Sequence, residues 1–225
     1  MTRELNWPVI RLLMIKDWQL FQKQLAAHLL GGIVALAFLG MAKPWAFYIG
    51  SLLLIILLVA VACFAVSTSL LVERKEQTLA FVMSLPVSPL DFTVAKLAGN
   101  LLTFLVPFLV MALFTAIIIF STPLPDGLVV LAALVFGHVL VAYCISLAVA
   151  MQVESEGWNL FAMIGSMVLI NPFLMLIGQM DSVQSVLRGN AVIWPAPALA
   201  ILGAQALIGL ACLAFALWSN GRKPA

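Results

Sequence analysis

The chain has 225 residues, of which 64% are hydrophobic and only 9% charged, and its mean hydropathy is +1.18. Soluble domains carry roughly 25% charged residues, so a water-facing surface cannot be built here and the solvent for most of the chain must be lipid. A net charge of +2 gives no reason to expect nucleic acid as a partner.

The first residues lack a short apolar core followed by a small-residue cleavage site, so no removable leader is expected. Pro8 to Leu25 reads PVIRLLMIKDWQLFQKQL. Arg11, Lys16, Asp17 and Lys23 interrupt it too often for burial in lipid. Ile10, Leu13, Met14, Trp18, Phe21 and Leu25 recur at three- and four-residue spacing. That pattern predicts an amphipathic helix lying in the cytoplasmic interface, with Trp18 at headgroup depth. The plainer reading is an extended start to the first span.

A helix needs about 20 apolar residues to cross the hydrocarbon. Spans are predicted near Ala26–Met41, Ala46–Leu71, Val94–Phe120, Leu128–Met151, Asn159–Ile177 and Ala196–Trp218. The runs are apolar all round and lack the alternation of barrel strands, so helices are expected. Cys63, Cys144 and Cys212 lie inside these runs without metal spacing and read as small apolar core residues.

Between the second and third spans the chain reads LVERKEQTLAFVMSLPVSPLDFTVAKL, from Leu71 to Leu97. Glu73, Arg74, Lys75 and Glu76 open it. Leu79, Val82 and Met83 then share one face of a helix of about two turns, too short to be stable alone in water. Pro86 ends it. Ser88, Pro89 and Asp91 read as N-cap, first position and capping-box acid of a new helix. Lys96 is placed to snorkel to the headgroups. Two readings stay open on physical grounds: an ordinary solvated loop, or a short docking helix clamped by spans on both sides.

Further along, Pro107 in the third span and Asn171-Pro172 in the fifth predict kinks or breaks, because proline removes a helical hydrogen bond. Asn100 and His138 are polar residues inside spans and, with these breaks, are candidate pathway residues. A packing role for a neutral His138 is the blander option. The loop Gln152 to Asn159 is acidic, and Glu154 and Glu156 are candidates for a second cytoplasmic contact or belong to a solvated turn. Between Gly178 and Pro197, Asp181 or Ser182 can start a short helix and Gly189 can end it, with Trp194 at the outer interface.

Nine of the eleven Lys and Arg residues fall on one side of this six-span layout, and only Lys43 and Arg188 on the other. The positive-inside bias places both termini and the charged insert in the cytoplasm. There is no G-x-x-x-x-G-K-[ST] loop, so ATP hydrolysis by this chain is not expected. Deep paired carboxylates and an H-E-x-x-H pattern are also missing, against ion-coupled carriage and an intramembrane metalloenzyme. Ser166 and His138 sit in neighbouring spans, but no G-x-S-x-G supports a serine protease. No catalytic residue and no metal ligand are assigned.

The stretch ERKEQTLAFVMSLPVSPLDFTVAKL resembles the loop between the second and third spans of ABC-2 type transporter permeases: an acidic-basic cluster, a Thr-Leu pair, a run ending Ser-Leu-Pro, and an Ala-Lys-Leu start to span three. The layout of the whole chain is similar as well. The resemblance implies an all-α permease domain over residues 1–225, with residues 72–88 as a coupling segment and 178–197 as an external segment. It implies that Glu73, Arg74, Glu76, Thr78, Leu79, Phe81, Met83 and Leu85 contact a separate ATP-binding cassette subunit. That subunit would hold ATP and magnesium, and this chain no cofactor. It further implies pairing with a second copy or a paralogue in a bacterial cytoplasmic membrane, and export as the direction. Many family members carry glycine before the Thr-Leu pair, where this chain has Gln77. A haem-exporter-like subunit of cytochrome maturation shares this size and layout. A membrane scaffold or sensor recruiting a cytoplasmic partner is the alternative from another class.

Overall fold

In the computed structural model, residues 6–67, 89–153 and 155–220 are described. They form eight α-helices and, among the described residues, no strand. In chain order these are α1 (Trp7–Gly40), α2 (Pro44–Val66), α3 (Pro89–Ser121), α4 (Leu128–Gln152), α5 (Glu156–Val168), α6 (Ile170–Gly178), α7 (Asp181–Leu187) and α8 (Ala196–Asn220). Prolines set several of the starts. Pro44 and Pro89 take the first helical position of α2 and α3, and Pro8 and Pro197 the second of α1 and α8. There the missing N–H has no intrahelical partner to lose and the fixed φ is already helical.

Among the described residues, six stretches are long and apolar enough to cross a bilayer: Phe21–Gly40, Pro44–Val66, Asp91–Ser121, Leu128–Gln152, Gly157–Gly178 and Ala196–Ser219. The chain is therefore an all-α, multi-pass membrane protein, as the hydropathy predicts. Large apolar side chains such as Leu52, Leu113, Phe161, Leu207 and Leu210 stand exposed on outward faces, where lipid is the solvent.

α4 is the hub, touching α2 and α3 on one side and α5 to α8 on the other, while α1 packs on α3 and α2. Tyr143 of α4 is fully buried and stacks on Phe104 of α3, ring centroids 3.9 Å apart. At Gly50 of α2 the α1 backbone comes close: a Cβ there would stand 2.8 Å from both the Ala35 carbonyl oxygen and the Leu39 nitrogen. Without a hydrophobic drive between helices in lipid, such close approach supplies the van der Waals contact that joins them.

The fifth span is interrupted. α5 ends at Val168 and α6 begins at Ile170. Pro172 cannot donate to the Val168 carbonyl, so the expected break appears one turn upstream of the proline. Pro107 behaves differently: α3 runs from Pro89 to Ser121 without interruption. It is buried with Phe104 and Phe108 beside it, and packing on neighbouring helices holds both halves in line.

At the end that carries the α1–α2 turn, α7 lies inward. Val183 and Val186 join Val130, Leu134, Ile177 and Ala198 in a small second core. α7 starts at Asp181 and stops at Leu187, and Gly189 N–H bonds to the Val186 carbonyl, close to the sequence expectation.

Candidate functional site

The charged insert joins α2 to α3, so its flanks are the natural place to look for function. Glu73, Arg74, Glu76, Thr78, Leu79, Phe81, Met83 and Leu85, and Glu154, lie outside the described residues. Both flanks of the insert are described.

On the near flank, Ser67 follows α2 and its Oγ lies 3.9 Å from Met163 Sδ of α5. The start of α5 is tied back to the end of α4. Asn159 Nδ2 donates to the Val153 carbonyl at 3.0 Å, and the Asn159 N–H donates to the Ser155 carbonyl. Glu156, one of the candidate second contacts, is the first residue of α5. The structure thus brings α5 to the end of the bundle where α2 stops.

On the far flank, α3 opens with Pro89, as predicted, and its first turns are bound to α1. The Asn6 N–H donates to Asp91 Oδ1 at 3.0 Å. One and a half turns on, Lys96 Nζ meets Asp17 Oδ2 at 2.9 Å, with side chains only 3% and 5% exposed. Lys96 Nζ also stands 5.9 Å from the centre of the Phe92 ring. Asn100 Nδ2 donates to the Lys96 carbonyl, and Thr103 Oγ1 to the Gly99 carbonyl. Thr93, Lys96, Asn100 and Thr103 are all buried and recur at three- and four-residue spacing, so they form one polar stripe down an inward face of α3.

Two expectations change here. Lys96 does not snorkel: it is buried and paired. Residues 8–25 are not a separate interfacial helix but the first half of α1, which runs unbroken from Trp7 to Gly40. Their apolar face is used for protein contact. Ile10 and Leu25 are buried, Met14 lies against Gly99 of α3, and Phe21 meets Phe64 of α2 edge-on at 5.6 Å. Asp17 explains why. It sits at the centre of that face, and a helix laid apolar-side down on the bilayer would drive its carboxylate toward the acyl chains, a placement that is costly for any charge. Lys96 supplies the partner that lipid cannot.

Helix length sets the depth of this pair. From Asp17 to Gly40 is roughly 35 Å of helix, and from Lys96 to Ser121 roughly 37 Å, at about 1.5 Å per residue. The hydrocarbon is about 30 Å thick. Both lengths exceed that thickness, so with the α1–α2 turn at one edge and the helices along the bilayer normal the pair would stand near the far edge of the hydrocarbon.

The candidate pathway residues are not brought together. Asn100 and Pro107 face inward on α3. His138 stacks on Phe173 of α6 with centroids 4.6 Å apart, and its Nε2 is buried without a hydrogen-bond partner. Asn171 and Pro172 are exposed on the outer surface. Two apolar grooves of about 510 and 580 Å³, between α4 and α8 and between α1 and α3, are lined by none of these five residues. Ser166 Oγ bonds to Ser146 Oγ at 3.1 Å and to the Met163 carbonyl, a helix–helix tie, and His138 bonds to the backbone of Ser166 rather than to its hydroxyl. Among the described residues, no group of three or more His, Cys, Asp or Glu could hold a metal ion.

Asp17 was legible as a charge in the middle of an apolar stripe. Gln205 is the other residue that sequence reading passed over. Its Nε2 donates to the Leu134 carbonyl of α4 at 3.2 Å, and its Oε1 fills the space a side chain at Gly137 would need. A lone glutamine in an apolar span was the available signal. Compared with protein-family models, curated proteins and solved structures, the chain matches none.

Proposed function

We propose that this chain is the membrane-spanning subunit of an ATP-driven, ABC-type transporter, an exporter whose ATP is hydrolysed by a separate subunit. The observation that carries the reading is the stretch from Glu73 to Leu97, set between the second and third of six membrane-length helices. The buried ties at the start of α3 support it, because they make that start a firm attachment rather than a frayed end.

In this reading, ATP closes a cytoplasmic pair of subunits, and the short helix at Gln77–Leu85 passes the motion to α2 and α3. Nucleotide can shift the permease only through contacts that differ between the two states. Glu154 and Glu156 make a second contact with the same partner. A second copy or a paralogue of this chain completes the route across the bacterial cytoplasmic membrane, with both termini on the cytoplasmic side.

Co-expression with the neighbouring reading frames and affinity purification tests the class. An ATPase that co-purifies at near-equal stoichiometry supports the proposal, and a complex with a kinase or with no nucleotide-binding partner refutes it. Within an ATPase complex, Leu79→Asp or Glu76→Lys is expected to leave insertion intact and to cut substrate-stimulated turnover by on the order of tenfold or more, by loss of interface contacts. Normal transport in both variants would remove the coupling role from this helix.

A further inference from the structure

The first half of α1 has one apolar face and two places that suit it. Ile10, Met14, Phe21 and Leu25 pack onto α3 and α2 in the structure. The same residues are spaced to lie on a bilayer surface, with Arg11, Lys16 and Lys23 off that face to meet headgroups. The Asn6–Asp91 hydrogen bond joins the start of α1 to α3, and within the face itself Asp17 distinguishes the two places. Against α3 it meets Lys96 at 2.9 Å out of water, whereas against lipid it meets nothing. Burying such a pair adds little stability over apolar side chains of similar volume, and its best-attested use is to choose one arrangement among several.

We propose that the Asp17–Lys96 pair is a latch that decides where residues 7–25 lie. Closed, it holds them upright along α3. Open, it frees their apolar face to turn onto the inner surface of the membrane. α3 begins directly after the charged insert, so a displacement of its first turns would reach Lys96 within two helical turns of Pro89. The proposal goes beyond the transport reading and does not need it, since it concerns only how two helices of this chain are joined.

Double electron–electron resonance on the full chain tests this. The chain would carry nitroxides on Leu12→Cys and Leu102→Cys in a background with Cys63, Cys144 and Cys212 replaced by alanine. Liposomes of phosphatidylethanolamine and phosphatidylglycerol provide the bilayer. Leu12 and Leu102 are both exposed, so labels there leave the packed face alone. The parent should give one short distance. Asp17→Leu with Lys96→Met keeps the volume and removes both charges. It should raise the released population on the order of tenfold, seen as a second distance longer by ~10 Å or more, because residue 12 lies about 20 Å of helix from a bend near Leu25. Asp17→Lys with Lys96→Asp should restore the parent distance. An unchanged distribution in the apolar double variant overturns the latch. So does failure of that variant to fold while the charge-reversed one folds, since the pair would then be a folding requirement and not a choice between two seats.

Discussion

Ala42 shows how a single residue can carry strain in this bundle. It is the middle of the three-residue turn between α1 and α2, and its φ of 50° lies in the left-handed region. An L side chain there costs on the order of 1 kcal/mol, a cost that glycine avoids. Ala42→Gly is therefore expected to stabilise the protein by roughly 0.5–1 kcal/mol, less the extra backbone freedom glycine brings to the unfolded chain. A small rise in the detergent melting temperature would be the readout, and a fall would show that the turn is held by something other than its backbone. Asp17 and Gln205 belong at this scale too. Each is a polar residue in an apolar surrounding, and each is held by one atom on another helix, although Gln205 Oε1 is buried without a hydrogen-bond partner.

Among the elements, the α6–α7 unit is the one whose placement rests on a backbone contact. The Gly127 N–H donates to the Gly189 carbonyl at 3.1 Å, and the Gly127 Cα lies so close to the Val186 carbonyl that no Cβ fits between them. Gly127→Ala must push α7 away from the start of α4. Arg188, exposed at the end of α7, should then become a faster tryptic site in the detergent-solubilised protein, by about tenfold if the contact contributes on the order of 1.4 kcal/mol to local closure. Gly178→Ala, where a Cβ meets nothing within 4 Å, should leave the rate unchanged. Equal rates in both variants would mean that the second core alone holds α7. The break at Leu169 is legible from Pro172, whereas the continuity of α3 through Pro107 is not. The same residue type gives a different outcome because Pro107 is surrounded by protein and Pro172 is on the outer face.

At the scale of the molecule, the division of charge is the main determinant of orientation. Lys43 and Arg188 alone among the Lys and Arg residues fall on one side of the six-span layout. In intact cells, a membrane-impermeant thiol reagent is expected to modify Lys43→Cys and Arg188→Cys from outside. Arg11→Cys and Arg222→Cys should react only after permeabilisation. Labelling of Arg11→Cys in intact cells would invert the topology and take the charged insert away from any cytoplasmic ATPase.

By itself the sequence determines the solvent, the number of spans, most of their ends and the break at Pro172. These follow from runs of about 20 apolar residues and from prolines, and both act along the chain within a few residues. Which face of the first helix meets protein was decided only by tertiary structure. The apolar stripe at Ile10, Met14, Phe21 and Leu25 suits lipid and protein equally, and the residue that breaks the tie lies 79 positions away from Asp17. Nothing in local spacing can announce such a partner, because the energy of a buried charge depends on what the fold places within about 3 Å of it.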